Sequence, residues 1–598
     1  MKGKAQKREE IDPRYKWKLE DIYRQEEDWE QDFEQLKEQT KEIESCKDSL
    51  GESAAGLLNT LRLLETIERR LENLFVYAKM RKDEDNTNPH YQTLFDRAQG
   101  LMVQVQSATS FVVPGIIAIP EDRLRDYISE ESELELYKKF FDELLRQKEH
   151  ILSPAEEKIL AMSADLSIAP RNIFSMFNNA DIKFPVIKDE NGEEIELTKG
   201  RYARFMESSD RRVRKEAFTG LYDSYTKMRN TLASTLSSSI KSDVFYARAR
   251  KYDSALQASL DGDKISPQVY DNLIESVHKN LAYMYRYMQL RQKMLGLDEL
   301  HMYDIYTPLV PEFKMEVDYE KAKSMIFQAL EPLGERYLAD LKTGLESGWI
   351  DVYENQGKTS GAYSWGSYDS HPYVLLNYDN KLDDVFTLAH EMGHSMHSFY
   401  SNKAQPYIYS QYSIFLAEVA STVNESLLID YLLKKSSDRR EKMYLLNHYL
   451  EQFRGTVFRQ TMFAEFEKMV HDRVEAGQAL TPDALSKMYR DLNALYYGPQ
   501  VILDKEIEME WARIPHFYSA FYVYKYATGF SAATAIKQMI MEEGQAAVDR
   551  YLQFLSSGSS DYPISLLQKA GVDLDTPEPV DKALQYFAQL LGELEALV

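Results

Sequence analysis

The sequence predicts a predominantly all-α fold with a small amount of β-structure, and three observations favour it. The chain has 598 residues but only 25 glycines and 19 prolines, below their usual shares of about 7% and 5%, so few residues interrupt long helices. Hydrophobic residues make up 44% of the chain and charged residues 28%, which is typical of a globular protein that faces water. A chain of this length exceeds one simple core, so we expect more than one lobe.

The charge balance and the cysteine count exclude several classes of protein. Asp and Glu number 96 against 72 Lys and Arg, a net charge of −24. Nucleic-acid and anionic-membrane partners require clustered basic residues, so neither partner is expected. The one cysteine, Cys46, permits no internal disulfide or cysteine-rich metal site, which fits a reducing compartment.

The N-terminal segment and the apolar runs predict a cytoplasmic protein. The opening residues MKGKAQKREE have no apolar stretch behind them, so no signal peptide is predicted. The longest apolar run, Phe111 to Pro120, contains two prolines and is shorter than the ~20 residues that a membrane span needs.

From Tyr15 to about Tyr285 the pattern indicates long amphipathic helices joined by short breaks. Apolar residues recur at helical spacing in the segment from Ala55 to Phe75, which favours packing of one helix against another rather than a ligand site. The members of this stripe are Leu57, Leu58, Leu61, Leu64 and Ile67.

A β-hairpin is predicted between Phe184 and Gly200. Two short β-prone runs flank Asn191-Gly192, a dipeptide that favours a tight hairpin turn. We place a boundary near residue 200, between an N-terminal helical region (1–200) and a second region (201–598).

A second non-helical stretch runs from about Trp349 to Tyr378. It is rich in glycine and ends in a β-like run, Tyr373 to Tyr378. This run is either a free strand edge, to which an extended peptide can add by backbone hydrogen bonds, or an ordinary buried strand. After Asp383 the pattern is helical nearly to the C-terminus.

The segment FTLAHEMGHSMHSFY, Phe386 to Tyr400, carries the clearest chemical signal. His390 and His394 are four residues apart, so on a helix they differ by about 40° and face the same way. Two imidazoles at this spacing can hold one zinc ion, and Glu391 between them can act on water without ligating. The other reading is a pair of histidines that hydrogen-bond in a helical core.

A catalytic zinc needs a third protein ligand, and the next helical segment, Phe415 to Leu433, offers two glutamates. Glu418 and Glu425 are seven residues apart, two turns along the same face. The residues alone favour Glu418 over Glu425 as the third zinc ligand only weakly. Glu425 is also a candidate to accept the second N–H of a ligating histidine, as are Asp383 and Asp384.

HEMGHSMH followed by LAEVASTVNE resembles the thimet-oligopeptidase superfamily of zinc metallopeptidases, and within it oligoendopeptidase F. Further similar segments cover essentially the whole chain: YKWKLEDIY (Tyr15 to Tyr23), RKYDSALQASL (Arg250 to Leu260), GAYSWGSYDSHPYVLLNY (Gly361 to Tyr378) and IPHFYSAFYVYKYATG (Ile514 to Gly529).

The resemblance implies a zinc endopeptidase that hydrolyses internal bonds of short oligopeptides. It implies one zinc ion per chain, bound by His390, His394 and Glu418, with Glu391 as general base. Residues 201–598 are then the zinc metallopeptidase catalytic region. It also implies two helical lobes that enclose a substrate channel, with a small β-sheet near the active site. The oligomeric state does not follow from it.

In the resembled family, a late histidine and tyrosines contact the substrate carbonyl or the developing oxyanion. The matching candidates are His516, Tyr522 and Tyr524. The segment departs from the mammalian relatives, which have a glycine-containing loop after the histidine and a different tyrosine spacing, so the resemblance does not select one tyrosine. The other reading is that these tyrosines, with Tyr518 and Tyr526, pack a helix.

Two other functions stay open from the sequence. A helical zinc carboxypeptidase also uses His-Glu-x-x-His, and Arg513 is then the candidate to hold the substrate C-terminus. A non-catalytic peptide-binding protein with structural zinc has no need of Glu391 and requires a fourth ligand such as His397. We favour a packing or supporting role for His397.

Overall fold

The computed structural model describes residues 6–310 and 315–598. Helix accounts for 73% of the chain and the sheets are small, which confirms the predicted all-α fold class. Glycine and proline seldom interrupt the apolar stripes, so most of the chain forms helices. Within each helix the backbone N–H and C=O groups hydrogen-bond to one another.

The first half of the described chain forms long helices joined by short turns. In chain order the α-helices are α1 (Glu26–Glu44), α2 (Ala54–Glu84), α3 (Pro89–Thr109), α4 (Val112–Ala118), α5 (Glu121–Glu130), α6 (Lys138–Arg146), α7 (Pro154–Met176), α8 (Lys199–Met206), α9 (Arg211–Thr226), α10 (Arg229–Ala249), α11 (Ala255–Asp261), α12 (Pro267–Lys279) and α13 (Leu281–Leu295).

The second half continues the same pattern. Its α-helices are α14 (Tyr319–Ala329), α15 (Gly334–Glu346), α16 (Leu382–Ala404), α17 (Tyr407–Ser410), α18 (Ile414–Lys435), α19 (Arg439–Phe453), α20 (Arg459–Glu475), α21 (Pro482–Tyr497), α22 (Tyr524–Glu543), α23 (Gln545–Leu555), α24 (Pro563–Ala570) and α25 (Glu578–Ala596).

The described strands are short. They are β1 (Val186–Lys188), β2 (Glu194–Glu196), β3 (Leu300–His301), β4 (Ile350–Asp351), β5 (Tyr363–Trp365), β6 (Tyr373–Leu375) and β7 (Val501–Ile502).

The chain divides into two compact units, each built from three separate segments. The first unit contains residues 1–149, 314–431 and 536–571, and the second contains residues 150–313, 432–535 and 572–598. The boundary predicted near residue 200 lies inside the second unit and does not coincide with this division. The assignment of a catalytic region to residues 201–598 stays a prediction.

The core of the first unit forms where α1, α2 and α3 pack together. Trp29 is fully buried and its indole N–H donates to the Leu74 carbonyl oxygen over 3.0 Å, so this large ring is buried without an unsatisfied donor. Buried residues of β6, Tyr373 and Leu375, belong to the same cluster. The core therefore supports the small sheet directly.

One helical stretch, Pro89–Ala118, is long and apolar enough to cross a membrane by length and composition alone. Core helices of globular proteins pass the same test, so this is weak evidence for a span. Leu94, Leu101 and Val105 of this stretch are buried in the cluster around Trp29, so one face of it packs in the protein core.

The hairpin predicted around Asn191-Gly192 is present in the second unit. β1 and β2 pair antiparallel, with Ile187 opposite Ile195. Gly192 has φ +81°, a left-handed conformation that glycine adopts without steric cost.

A three-stranded sheet in the first unit has the order β4-β6-β5. β6 pairs parallel with β4 and antiparallel with β5, and its three residues are buried. The run that begins at Tyr373 is therefore the buried central strand, and the expectation that it presents a free edge is wrong. Within the described residues, the outer edges belong to β4 and β5.

Candidate metal centre

α16 carries the His-Glu-x-x-His segment on a helix with a well-formed start. The carboxylate of Asp384 accepts the backbone N–H groups of Asp379 and Lys381, each over 2.9 Å. Acidic side chains in a first turn also complement the helix dipole. Ala389, Met392 and Met396 are fully buried, so the helix is held on its apolar side while the two histidines share another part of its surface.

Gly393 allows α18 to approach α16 at backbone distance. A Cβ atom at Gly393 would lie 2.5 Å from Cα of Ser421 and 2.8 Å from the Ala420 carbonyl oxygen. Asn424, also on α18, donates to the Ala389 carbonyl oxygen over 3.1 Å and accepts from the Tyr337 hydroxyl over 3.1 Å. This close crossing brings the glutamates of α18 to the histidines of α16.

The crossing brings three side-chain atoms into a small triangle. Nε2 of His390 lies 3.2 Å from Nε2 of His394. Oε2 of Glu418 lies 3.5 Å from the first nitrogen and 3.8 Å from the second. Within the described part of the chain, these three residues form the group that can hold a metal ion.

The donor set and its spacing fit zinc. Tetrahedral coordination with zinc–ligand bonds of about 2.0–2.1 Å places ligand atoms roughly 3.3 Å apart, and the three distances are close to this value. Two imidazoles and one carboxylate are also ligands that zinc accepts readily. His390, His394 and Glu418 are thus suited to hold one zinc ion and leave a fourth position for water or substrate.

Glu425 has a different place from Glu418. Its Oε1 forms a hydrogen bond with Nδ1 of His390, so it holds the ring from the side opposite the triangle. Such a carboxylate fixes the tautomer that leaves Nε2 free for a metal. Of the acceptors considered from the sequence (Glu425, Asp383 and Asp384), Glu425 makes the contact with Nδ1 of His390, whereas Asp384 caps the start of α16.

The electrostatics of the two histidines differ. Burial and the neighbouring His390 lower the pKa of His394 to about 3, so its imidazole is neutral. Burial also opposes the charged form of His390, but the contact with Glu425 and nearby carboxylates outweigh burial and raise its pKa to about 9. A metal therefore competes with a proton at His390.

Glu391 is held beside the triangle and is only 8% exposed. It accepts a hydrogen bond from the backbone N–H of Ser364 in β5. Burial, together with the charges of Glu418 and Glu425, raises the pKa of Glu391 to about 7. A carboxylate with a pKa near the working pH suits proton transfer in both directions.

His397 packs behind the site. It is 1% exposed, and its ring stacks on Tyr412 with centroids 3.6 Å apart and lies 5.4 Å from Phe554. The group able to share one ion does not include it. The structure therefore favours packing over the fourth-ligand role that a structural zinc site requires.

The late segment lies in the second unit, where its candidate residues separate into two environments. The rings of His516 and Tyr522 are 6.2 Å apart, and Tyr526 lies 6.0 Å from His516 and 5.5 Å from Tyr522. All three are partly exposed. Tyr524 is fully buried with its ring 5.1 Å from that of Tyr270. Partial burial lowers the pKa of His516.

Arg513, the candidate carboxylate-binding cation of a carboxypeptidase, is already engaged in the second unit. Its guanidinium donates to Glu510 over 2.7 Å and to the Tyr222 hydroxyl over 3.2 Å. Glu510 also pairs with Arg459 over 2.8 Å. Arg513 thus belongs to a buried ion-pair network, which weakens its case as a substrate-binding cation.

Sequence reasoning missed three residues that build the centre: Ser364, Gly393 and Asn424. Ser364 contacts Glu391 across 27 positions of chain, and nothing local signals it. The glycine inside a histidine-bearing helix and the buried asparagine next to Glu425 were readable as marks of a close helix crossing, because neither favours a helix interior.

Two sequence families match this chain. The model of Peptidase family M3 matches residues 204–586, and the model described as Oligopeptidase F matches residues 116–184. Oligopeptidase PepF of Bacillus subtilis is 49% identical over 591 residues, covering 99% of this chain and 88% of the relative. An oligoendopeptidase F homolog of Lactococcus lactis is 42% identical and covers 99% of both chains.

Solved structures match over nearly the whole chain. Oligoendopeptidase-F from Enterococcus faecium has a TM-score of 0.74 at 40% identity, covering 96% of this chain and 99% of that one. A peptidase structure from Chlamydophila abortus has a TM-score of 0.92 at 37% identity and covers both chains completely.

Proposed function

Because the chain belongs to peptidase family M3, and within it to the oligoendopeptidase F group, we propose that it is a zinc-dependent endopeptidase that hydrolyses internal bonds of short oligopeptides. Family membership makes it a peptidase of a kind that acts on oligopeptides. The zinc ion, the endopeptidase mode and the residue roles are the proposal.

The observation that carries the proposal is the triangle of His390, His394 and Glu418 with Glu391 beside it. Three protein ligands leave a coordination position open, whereas structural zinc sites are closed by four. A buried glutamate next to such a site matches the general base of a metal-dependent hydrolase. A non-catalytic protein has no use for that costly carboxylate.

The chain's own side chains perform the proton transfers. Zinc, when bound, supplies Lewis acidity that acidifies water and polarises a carbonyl group. Glu391 takes a proton from the attacking water and gives it to the amine nitrogen of the departing half. The Ser364 N–H orients the Glu391 carboxylate, and Glu425 keeps Nε2 of His390 free for the metal.

His516 and Tyr522 are the proposed donors to the oxyanion. The resemblance assigns a histidine and tyrosines of this segment to that role, with His516, Tyr522 and Tyr524 as candidates. The partly exposed ring pair formed by His516 and Tyr522 supports Tyr522 as the tyrosine. Tyr524 is buried against Tyr270, which favours packing, and Tyr526 is a further partly exposed ring in the same cluster. Hydrogen bonds that strengthen in the transition state typically contribute about 3–4 kcal/mol per donor.

The outer edge of β5 is the proposed binding site for the substrate backbone. β5 is an edge strand within the described residues, and its Ser364 already contacts Glu391. A peptide that adds to this edge gains main-chain hydrogen bonds whatever its side chains are, which favours broad sequence tolerance.

Cleavage of an internally quenched peptide blocked at both ends tests the proposal. We expect zinc-dependent cleavage that a chelator abolishes, and a metal-loaded Glu391→Gln variant that keeps its zinc but loses turnover by several orders of magnitude. A carboxypeptidase needs a free C-terminus and leaves the blocked peptide intact. A protein with structural zinc binds the metal and cleaves no peptide, whether its ends are blocked or free.

A further inference from the structure

The peptide unit that joins Ala520 to Phe521, just before Tyr522, is held at both of its polar atoms. The Ser259 hydroxyl donates to the Ala520 carbonyl oxygen over 3.1 Å. The Phe521 N–H donates to Oε1 of Glu467 over 2.7 Å. Rotation of this peptide plane would break both hydrogen bonds, so its orientation is set by the two side chains.

Phe521 has a backbone conformation that needs such support. Its φ is +54°, and the other non-glycine residues with positive φ in the described chain are exposed, whereas Phe521 is 1% exposed. A bulky residue in this region is strained and persists only when its surroundings determine it. The Phe521 ring packs 4.4 Å from that of His471 and 5.7 Å from that of Tyr270.

Glu467 is an unusual residue to find in this position. It is 1% exposed, and its Oε2 has no hydrogen-bond partner among the described residues. Burial of a carboxyl group is costly unless its oxygens are hydrogen-bonded or paired with a charge. The Phe521 N–H donates to the other oxygen of Glu467, Oε1, so this buried carboxyl group supports one particular backbone conformation.

We propose that Ser259 and Glu467 are positioning residues that hold the 520–521 peptide unit and thereby place Tyr522 beside His516. The inference rests on the proposed function, because it takes His516 and Tyr522 as groups that contact substrate. It also gives a role to the segment Arg250 to Leu260, which contains Ser259 and for which the zinc chemistry has no use.

Two substitutions at Glu467 separate positioning from general packing. Glu467→Gln keeps a carbonyl oxygen for the Phe521 N–H, whereas Glu467→Leu removes it. We expect kcat of the Leu variant to fall roughly 10–100-fold with KM within about threefold, since small misplacement of a catalytic contact is costly. The Gln variant is expected to keep kcat within about threefold of wild type.

Glu465→Ala is the matched control on the same helix. It removes hydrogen bonds with Tyr496 (2.8 Å) and His278 (2.7 Å) without touching the 519–523 segment, so we expect near wild-type kcat. Amide exchange at Phe521 gives a readout that does not depend on turnover. We expect the Phe521 amide to be protected from exchange in wild type, Glu467→Gln and Glu465→Ala. In Glu467→Leu we expect this protection to be lost.

A folded, zinc-loaded Leu variant with kcat within twofold of wild type overturns the inference, and so does a Gln variant as impaired as the Leu variant. If the Leu variant does not fold, Ser259→Ala tests the same peptide unit from its exposed side. We expect about a threefold loss of kcat there at constant KM; no loss overturns the inference.

The failure of this inference is distinguishable from that of the proposed function. A Tyr522→Phe variant with wild-type kcat overturns the inference together with the donor role of Tyr522, and it leaves the proposed zinc-dependent hydrolysis with Glu391 as general base untouched. Retained turnover in metal-loaded Glu391→Gln overturns the proposed hydrolysis instead.

Discussion

Glu418 and Glu425 illustrate how two identical residues on one helix acquire different roles. Oε2 of Glu418 faces both histidine Nε2 atoms at 3.5 and 3.8 Å, whereas Glu425 contacts Nδ1 of His390. The first is placed to ligate a metal and the second to orient a ligand. Loss of the two carboxylates should therefore have different effects on metal affinity.

We predict that Glu418→Ala lowers zinc affinity far more than Glu425→Ala. Removal of a direct ligand leaves two imidazoles, while loss of the orienting carboxylate costs roughly 10–100-fold. Titration against a competing chelator measures both constants. Release of zinc by Glu425→Ala but not by Glu418→Ala would show that the two assignments are reversed.

Glu467 gives a pH-dependent prediction. Burial raises its pKa to about 8, above the ~4.3 of an unfolded chain. Between these values the folded protein keeps a proton that the unfolded chain loses, so the stability from this group is complete below pH ~4.3 and declines as pH rises to about 8.

Chemical denaturation at pH 5, 6.5 and 8 measures this effect. In Glu467→Gln the part of the pH slope that comes from Glu467, up to about 1.4 kcal/mol per pH unit, should disappear. Burial opposes the charged form of His471, but Asp243 and, to a smaller degree, Glu467 raise its pKa, so a His471 contribution to the slope persists in the variant in reduced form. Identical slopes in variant and wild type would contradict the assignment.

At the level of elements, the centre depends on the crossing of α16 and α18. Gly393 sits where the two backbones meet, with Ser421 and Ala420 opposite. Since one helix carries the histidines and the other carries the glutamates, any increase in their separation acts directly on the triangle of donor atoms.

We predict that Gly393→Ala reduces zinc affinity by at least about tenfold. An added Cβ would lie 2.5 Å from Cα of Ser421 and 2.8 Å from the Ala420 carbonyl oxygen. No side-chain rotation relieves contacts with backbone atoms, so the helices must shift. Gly100→Ala on α3 is the control, because nothing lies within 4 Å of its Cβ position and alanine favours helix. Unchanged zinc affinity in Gly393→Ala would show that the crossing tolerates the shift.

At the level of the whole molecule, each compact unit collects segments that are far apart in the sequence. The three candidate ligands and Glu391 lie in the first unit, whereas His516 and Tyr522 lie in the second. Zinc binding is therefore expected to stabilise the first unit directly.

We predict that removal of zinc by a chelator lowers the Tm of the calorimetric transition in which the first unit unfolds. A ligand that binds only the folded state stabilises it by about 4 kcal/mol at a thousandfold excess over Kd. Glu391→Gln, which keeps the ligands, should respond like wild type. Glu418→Ala should show little response, and a full response in this variant would place the metal elsewhere.

Features set by neighbours in the sequence were determined by the sequence alone. The four-residue spacing of His390 and His394 follows the helical repeat, so their common face was predictable before any packing was known. The turn at Asn191-Gly192 is equally local, since glycine accepts a left-handed conformation in any context. The all-α class follows from the apolar periodicity and the scarcity of helix breakers.

Only the tertiary structure decided which residues from distant segments meet. Glu418 and Glu425 share a helical face, and the contact of α18 with α16 at Gly393 is what assigns one to the triangle and the other to Nδ1 of His390. Likewise, pairing on both sides makes β6 a central strand and leaves an edge to β5. Helical and strand periods act within one element, whereas these choices depend on how separate elements pack, which no local spacing encodes.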